Sequence, residues 1–180
     1  MYRLRSASTA LAALLGFAVL IAPAVVPGTA QAAPVLLSQG KPATASSTEG
    51  AGTPASAAVD GNAGTRWASA WSDPQWLRVD LGATSTLSRV ELDWEAAYAT
   101  SFQLQVSADG NAWATVHTTT SGTGGRQGFD VTGSGRYVRV HGTQRANGYG
   151  YSLWEFRVFG TQGTNPQPGT GVRVTGSQGN

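Results

Sequence analysis

The sequence predicts an all-β fold over residues 33–160, an antiparallel β-sandwich of the jelly-roll kind. Apolar and polar residues alternate in five segments, as half-buried antiparallel strands require: 76–81, 90–95, 102–106, 137–140 and 154–158. Clusters of turn-forming residues separate the segments, at 60–62, 108–111, 124–125 and 133–135. The cluster Asp109-Gly110-Asn111 predicts a hairpin between Val106 and Trp113. Only 54–59 is compatible with a helical turn.

The tryptophans within this pattern are predicted to have different roles. Trp94 and Trp154 lie in alternating segments with apolar residues two positions away, so both are predicted to be in the core. Trp71 lies in a loop with turn residues on its C-terminal side. A tryptophan in such a loop is exposed and available to a ligand, or else packs over one end of the sandwich.

Residues 1–32 have the three-part pattern of a secretory signal peptide. Arg3 and Arg5 precede an almost wholly apolar run over 11–26, and small residues at 30 and 32 predict cleavage after Ala32. A membrane anchor is the alternative, but the run is shorter than the roughly 20 residues that a spanning helix needs. We therefore expect an exported, extracellular protein.

The C-terminal segment is predicted to connect this module to another one. Residues 161–171 are rich in Gly, Thr, Pro and Gln and carry no charge, which is typical of a flexible linker. Residues 172–180 begin with a strand-like Val-Arg-Val and are interpreted as the start of a truncated following domain. A frayed terminus is the alternative interpretation.

The charge distribution disfavours anionic partners. The 180 residues contain 12 basic and 10 acidic side chains, but Arg3 and Arg5 lie in the predicted signal peptide. Residues 34–160 carry nine basic and ten acidic residues, so we expect binding neither to nucleic acid nor to a membrane. The absence of cysteine excludes disulfides, thiolate zinc sites and a cysteine nucleophile.

Five stretches occur in order along the chain: ASAAVDGNAGTRWAS (55–69), QWLRVDLG (75–82), FQLQVSADGNAW (102–113), GRYVRVHG (135–142) and GYSLWEFRVFG (150–160). Together they resemble a discoidin, or coagulation factor 5/8 type C, domain, and more narrowly the bacterial family 32 carbohydrate-binding modules. The resemblance extends to the modules appended to chitosanases and β-1,3-glucanases. It covers 34–160 and implies a galactose-binding-domain-like jelly roll of eight strands.

A calcium site is predicted in the loop that starts at Asp60. Asp60, Asn62 and Thr65 supply hard oxygen ligands, the type that Ca²⁺ prefers, although Asp-Gly-Asn is also an ordinary turn. The loop does not fit an EF-hand, because its sixth position is not Gly. The family resemblance implies a structural Ca²⁺ with a late glutamate as a further ligand. The implied ligand set is the side chains of Asp60, Asn62, Thr65 and Glu155 and the carbonyls near Ala57 and Trp154.

The resemblance also implies a sugar site. Aromatic faces stack on sugar rings, and charged groups bind hydroxyls or an ammonium. The expected residues are Trp71 for stacking, Arg66 as a donor fork, and Glu49 and Glu95 as acceptors, with Tyr98, Tyr149 and Tyr151 extending the aromatic platform. Two carboxylates around one sugar suit the ammonium of glucosamine, and they also accept hydrogen bonds from glucose hydroxyls, as in a β-1,3-glucan.

An enzymatic role has a weaker basis in the sequence. Glu91-Leu92-Asp93-Trp94-Glu95 has the E-x-D-x-E spacing of a β-glucanase strand, but alternation turns these carboxylates outward, and 34–160 is too short for that fold. The favoured hypothesis is a secreted, non-catalytic module that targets an appended glycoside hydrolase to chitosan or β-glucan. The alternatives are an adhesive, protein-binding or lipid-binding discoidin domain, and a part of a glycoside hydrolase whose catalytic domain lies beyond Asn180.

Overall fold

The computed structural model describes residues 33–163, which form an antiparallel β-sandwich with a single 3₁₀ turn at Ala55–Ala58. The predicted fold class is therefore confirmed, and the turn lies where helical patterning was predicted. The strands are β1 (Val35–Leu36), β2 (Ala43–Ala45), β3 (Trp67–Ala68), β4 (Gln75–Trp94), β5 (Ala99–Ser107), β6 (Ala114–Thr119), β7 (Arg126–Arg145) and β8 (Ser152–Gln162).

The strands pair in the order β1-β8-β4-β7-β5-β6, with β2 on β4 and β3 on β8. The two 20-residue strands, β4 and β7, run side by side and contribute to both layers. Their register is interrupted between Asp80 and Ser85. Before the interruption β4 also pairs with β2, and after it β4 pairs with β8. Each long strand therefore turns a corner between the two layers of the sandwich.

The corner is fixed by an aspartate and an arginine. The Asp80 Oδ1 accepts a hydrogen bond of 2.8 Å from the N–H of Gly82, which has a φ of +85° that favours glycine. Arg136, at the corresponding corner of β7, donates to both Asp80 oxygens at 2.7 Å. These hydrogen bonds from Arg136 lower the pKa of Asp80 below its usual value.

The core lies between the layers and draws on both halves of β4. Leu77 and Val79 come from its first half and Val90 and Leu92 from its second, and all four are fully buried. Each such side chain contributes about 1.5–3 kcal/mol to folding through its burial. Within the described residues the same core cluster includes Trp67, Trp94, Phe102, Leu104, Val138, Tyr151, Leu153 and Phe156. The period-two alternation therefore identified the core-facing side of each long strand.

Trp154 departs from the predicted alternation. Asp93 pairs with Glu155 and Trp94 pairs with Leu153, so β8 bulges at Trp154. A bulge shifts the alternation by one residue, and Leu153 takes the inward position instead. The prediction that Trp154 is a core residue is therefore wrong, because its indole is only half-buried, whereas that for Trp94 is confirmed.

The remaining boundaries differ slightly from those predicted. The hairpin around Asp109 joins β5 to β6 as expected. β8 continues to Gln162, and the N–H of Gly163 donates to the Thr84 carbonyl at 3.0 Å, so the first residues of the predicted linker belong to the sandwich. The predicted signal peptide and the following domain lie outside the described residues. Within residues 33–163, no helix is long and apolar enough to cross a membrane.

The bulge predicts unequal effects of two neighbouring substitutions. Leu153→Ala should lower the free energy of unfolding by about 2–5 kcal/mol, because it leaves a cavity in the core. Trp154→Ala should lower it less, because Trp154 is partly exposed whereas Leu153 is fully buried. Urea unfolding of both variants measures the difference. The opposite order of stability would contradict the bulge.

Candidate functional site

A cleft of about 370 Å³ opens at the end of the sandwich where β4 ends and β8 begins. Four separate segments line it, and backbone hydrogen bonds join them. The N–H of Glu49 donates to the Ala68 carbonyl at 2.8 Å, and the N–H of Glu95 donates to the Ser152 carbonyl at 3.0 Å. The lining residues are Glu49, Arg66, Ala68, Ser69, Trp71, Glu95, Ala96, Ala97, Asn147, Tyr149, Gly150, Tyr151 and Ser152.

One wall of the cleft is a connected set of polar groups. The Trp71 Nε1–H donates to Glu49 Oε1 at 2.9 Å, and Glu49 Oε2 lies 3.9 Å from Arg66 Nη2. Arg66 Nη1 donates to the hydroxyl of the buried Ser152 at 2.8 Å. Glu49 and Arg66 are therefore held in position before any ligand arrives, which reduces the entropy lost on binding.

A second carboxylate faces the same cleft. Glu95 Oε2 accepts a hydrogen bond of 3.1 Å from the N–H of Ala97, while its Oε1 accepts none from residues 33–163. Beside it, the Asn147 amide donates to the Ala96 carbonyl at 3.0 Å. The lining contains two carboxylates and one guanidinium, so the cleft carries net negative charge and favours a cationic or hydroxyl-rich ligand.

The rim of the cleft is aromatic. Trp71 and Tyr149 are 57% and 59% exposed, and their rings meet edge to face with 5.4 Å between centroids. The N–H of Tyr149 donates to the Asn147 side chain at 3.0 Å, which fixes its loop. Two large exposed rings beside a polar cleft are suited to stacking on the apolar face of a sugar.

A polar bracket lies beneath the rim and joins its two loops. The buried Tyr151 hydroxyl donates to Asp73 Oδ1, and Arg145 Nε donates to Asp73 Oδ2 at 3.2 Å. Arg145 also donates to the carbonyls of Gly148 and Tyr149 at 3.2 and 3.1 Å. Burial and the bond to Asp73 raise the pKa of Tyr151 above its usual range. The bracket therefore fixes the loop of Trp71 relative to that of Tyr149.

The structure places the expected sugar-site residues unequally. Glu49, Arg66, Trp71, Glu95 and Tyr149 all line the one cleft. The ring of Tyr151 is buried, so it belongs to the floor rather than to an exposed platform. Tyr98 does not line the cleft, because its ring packs against the core and beside Gly124.

Three residues of the site are not predicted from the sequence. Asn147 lines the cleft, and Asp73 and Arg145 form the bracket below it. No local sequence pattern distinguishes Asn147 and Arg145 from solvated loop residues. Asp73 precedes a proline, which is typical of a turn residue. Its hydrogen-bond donor, the Tyr151 hydroxyl, is distant in sequence, so no local pattern indicates the contact.

A second group of candidate residues surrounds the loop at Asp60. Asp60 Oδ2 accepts from the Thr65 hydroxyl at 2.7 Å, and Asp60 Oδ1 accepts from the N–H of Asn62 at 2.8 Å. The Asn62 side-chain oxygen accepts from the N–H of Gly64 at 3.0 Å. Ala57 lies in the 3₁₀ turn, which packs against β8, the strand that carries Trp154 and Glu155. The loop and β8 therefore bring hard oxygen atoms together.

Glu155 is the unusual member of this group. Its side chain lies on the sheet face of its cross-strand partner Asp93, yet the residue is only 3% exposed, and its Oε1 has no hydrogen-bond partner among the described residues. Burial raises the pKa of Glu155, Arg157 opposes that shift, and the charge of Asp60 adds to it. A buried carboxylate oxygen without a partner is costly, and a cation would relieve that cost.

The donor set fits a hard cation rather than a transition metal. Within residues 33–163, no cluster of three or more His, Cys, Asp or Glu is placed to hold a metal. Asp60 and Glu155 are two carboxylates, and the remaining candidates are a hydroxyl, an amide and backbone carbonyls. Oxygen ligands of this mixed kind suit Ca²⁺.

Comparison with known proteins places this geometry among binding modules. The family model for the F5/8 type C domain matches residues 42–156. The chain is 54% identical to chitosan-binding module 1 of a chitosanase/glucanase from Paenibacillus sp. IK-5, with a TM-score of 0.68 over 70% of this chain and 99% of that one. It is 48% identical to chitosan-binding module 2 of the same enzyme, solved with chitotriose, with a TM-score of 0.67 over 69% and 99%.

A curated relative is the polysaccharide lyase 8 family protein HylA of Enterococcus faecalis. It is 35% identical over 69 residues, which are 38% of this chain. The match spans only 5% of the length of that relative. The similarity is therefore to one segment of a much larger protein.

Gly150 allows the two rim loops to approach each other, and this predicts the effect of a single methyl group. A Cβ at Gly150 would lie 2.5 Å from the Ser69 carbonyl oxygen and 2.8 Å from that of Ala70. Gly150→Ala should therefore separate the loops and shift the NMR resonance of the Trp71 indole N–H. Gly148→Ala is the matched control, because no atom lies within 4 Å of a Cβ there. Equal shifts in the two variants would contradict the close approach.

Proposed function

The chain belongs to the F5/8 type C domain family, and we propose that residues 33–163 act as a non-catalytic carbohydrate-binding module for a chitosan-type polysaccharide. The observation that carries the proposal is the convergence of Glu49 and Glu95 on one cleft. Only Arg66 balances them within the lining, so the cleft attracts a cationic sugar. Chitosan provides that cation as the ammonium of each glucosamine.

The cleft chemistry matches such a ligand. A carboxylate bonded to an ammonium contributes roughly 1.5–3 kcal/mol, about twice a neutral hydrogen bond. Trp71 and Tyr149 present exposed rings next to the carboxylates, so one sugar can stack while its ammonium is bound. Relatives 54% and 48% identical to the chain are named for chitosan binding, and one was solved with chitotriose. Together these observations support chitosan over a neutral glucan.

The polar groups of the cleft suit binding rather than hydrolysis. Glycoside hydrolysis requires one carboxyl group that gives up a proton. Glu49 is instead part of the cleft wall, bonded to the Trp71 indole and beside Arg66, which suits it to hold a ligand group. The carboxylates of the E-x-D-x-E strand are likewise engaged, since Glu91 pairs with Arg89 at 3.0 Å and Asp93 with Arg126 at 2.9 Å. In our proposal the module is exported and targets an appended glycoside hydrolase to its polysaccharide.

Calorimetry with chitosan oligosaccharides tests the cleft. We expect a Kd between about 10 µM and 1 mM, which corresponds to roughly 4–7 kcal/mol. Glu95→Gln should weaken binding about tenfold or more, because it removes a charge-assisted bond. Trp71→Ala should weaken it as well, through loss of stacking and of the hydrogen bond to Glu49.

Glu91→Gln is the matched control, because this carboxylate lies in β4 only four residues before Glu95 but outside the cleft. It should bind chitosan oligosaccharides with the affinity of the wild type.

Retention on insoluble chitosan, β-1,3-glucan and galactan then compares the polysaccharides. Retention on none of them, or unchanged affinity in Glu95→Gln and Trp71→Ala, would refute the proposed site.

We further propose that the loop at Asp60 and the buried Glu155 hold a structural Ca²⁺. The support is the unpartnered Glu155 oxygen, which is close enough to Asp60 for that charge to raise its pKa. Thr65, Asn62 and the carbonyls of Ala57 and Trp154 would supply further oxygen ligands. Bound Ca²⁺ would offset the charge of the two carboxylates and fix the loop against β8.

Removal of calcium should lower the melting temperature. Bound calcium stabilises the folded state by about 2.7 kcal/mol when its concentration is a hundred times the Kd. The chelator EGTA should remove this increment from the wild type. Glu155→Gln should melt at the same temperature with and without Ca²⁺. A wild-type melt that EGTA leaves unchanged would refute the calcium site.

A further inference from the structure

A row of arginines and aromatic rings covers one outer sheet face. The face belongs to the first half of β4, the second half of β7, and β5. Alternation turns Trp76, Arg78, Tyr137 and Arg139 outward, since Leu77, Val79, Val138 and Val140 point into the core. Trp113, just before β6, completes the row. We call these five outward residues, Trp76, Arg78, Trp113, Tyr137 and Arg139, the arginine–aromatic strip.

Cations and rings alternate along the strip. The guanidinium carbon of Arg78 lies 5.7 Å from the ring centroid of Trp76 and 5.4 Å from that of Tyr137. The guanidinium carbon of Arg139 lies 4.1 Å from the ring centroid of Trp113. These are cation–π distances, so each guanidinium lies over a ring. No hydrogen bond from the Nη atoms of either arginine is found within residues 33–163, so part of each fork remains free.

The two arginines of the strip form an uncompensated pair of like charges. Arg78 and Arg139 are direct cross-strand partners, an arrangement that destabilises a sheet. Burial and the charge of Arg78 lower the pKa of Arg139. Their Nε atoms donate to neutral groups, at 3.1 Å to the Thr44 hydroxyl and at 2.7 Å to the Gln105 amide oxygen.

Carboxylates accompany the other arginines but not this pair. Within residues 33–163, Arg66, Arg89, Arg126, Arg136, Arg145 and Arg157 each have a carboxylate within 4.0 Å, whereas Arg78 and Arg139 have none. Asp80 is close enough for Arg78 to lower its pKa, but Arg136 occupies both of its oxygens. The strip therefore has two guanidinium groups that lack an anionic partner.

We propose that the arginine–aromatic strip is a second ligand site, which binds an anionic polysaccharide through its uronate residues. A guanidinium fork matches a carboxylate in geometry, and neighbouring rings offer faces on which a sugar can stack. None of the five residues lines the cleft. The two sites thus differ in charge, and the strip selects an anionic sugar where the cleft selects a cationic one.

The geometry disfavours other anionic partners. Affinity for nucleic acid increases with the number of phosphates neutralised, and two arginines contribute few such contacts. Binding to an anionic membrane is driven by apolar surface or by clusters of four to eight basic residues. The strip lies on a sheet face between rings and contains only two cations. An acidic glycan satisfies the cations and the rings together.

Titration of the full chain with a galacturonic acid hexamer tests the strip. At low salt we expect saturable binding that weakens at least tenfold in the double variant Arg78→Gln/Arg139→Gln. The matched control is Arg89→Gln/Arg126→Gln, which removes the same charge from the other sheet and should keep wild-type affinity. Arg78→Lys/Arg139→Lys keeps the charge but loses the forks, so it should bind several-fold more weakly than the wild type.

A chitosan oligosaccharide serves as the fold control, because strip variants that still bind it have retained the cleft. Conversely, Trp71→Ala should keep its affinity for the galacturonic acid hexamer. The proposal would be overturned if the hexamer showed no saturable binding to the wild type. It would also be overturned if the control variant lost as much affinity as the strip variant, or if the lysine variant kept wild-type affinity. The same conclusion would follow if the chain bound phosphatidylserine vesicles or a single-stranded oligonucleotide more strongly than the hexamer. If chitosan did not bind the wild type, the proposal for the cleft would be refuted and the proposal for the strip would be unaffected.

Discussion

The corner in β4 and β7 is the constraint on which the rest of the molecule depends. A straight strand of 20 residues would span roughly 66 Å, at about 3.3 Å per residue. Yet Trp71 precedes β4 and Glu95 follows it, and both line the same cleft. The strand must therefore fold back on itself. Asp80 holds the turn through Gly82 and ties it to β7 through Arg136.

The same corner separates opposite charges onto different surfaces. The described module is nearly neutral by count, with one more acidic than basic residue over 34–160. The end of the sandwich gathers Glu49 and Glu95 around one guanidinium, whereas the first half of β4 sets Arg78 beside Arg139. A count of charges therefore describes neither surface, because local potential depends on which side chains the sheet brings together.

The sequence predicted the strands well because alternation is a local property. It also predicted the inward side of β4, which needs no knowledge of the partner strand, and of the two alternatives left open for Trp71 the structure has the exposed ring. The family resemblance, rather than any local pattern, indicated that Glu49 and Glu95 belong together. The sequence does not predict the pairing of Arg78 with Arg139 or the hydrogen bonds of Asp73, because each depends on how distant segments pack together. Tyr98 was misplaced for the same reason, since sequence proximity to Glu95 does not determine which way a loop side chain turns.

The bulge at Trp154 links the main failure of prediction to a functional hypothesis. Strict alternation would have placed the indole in the core. The bulge leaves the indole partly exposed instead, and the next residue, Glu155, is buried without a hydrogen bond to its Oε1 although it lies on the sheet face of Asp93. An acidic group buried in this way is unfavourable for a folded domain by itself. Bulges are common next to functional sites, and the bulged residue here is Trp154, whose carbonyl is one of the proposed ligands and which directly precedes a buried carboxylate near Asp60. A bound cation would offset the cost of burying Glu155, which is why we associate the irregularity of β8 with the proposed calcium site.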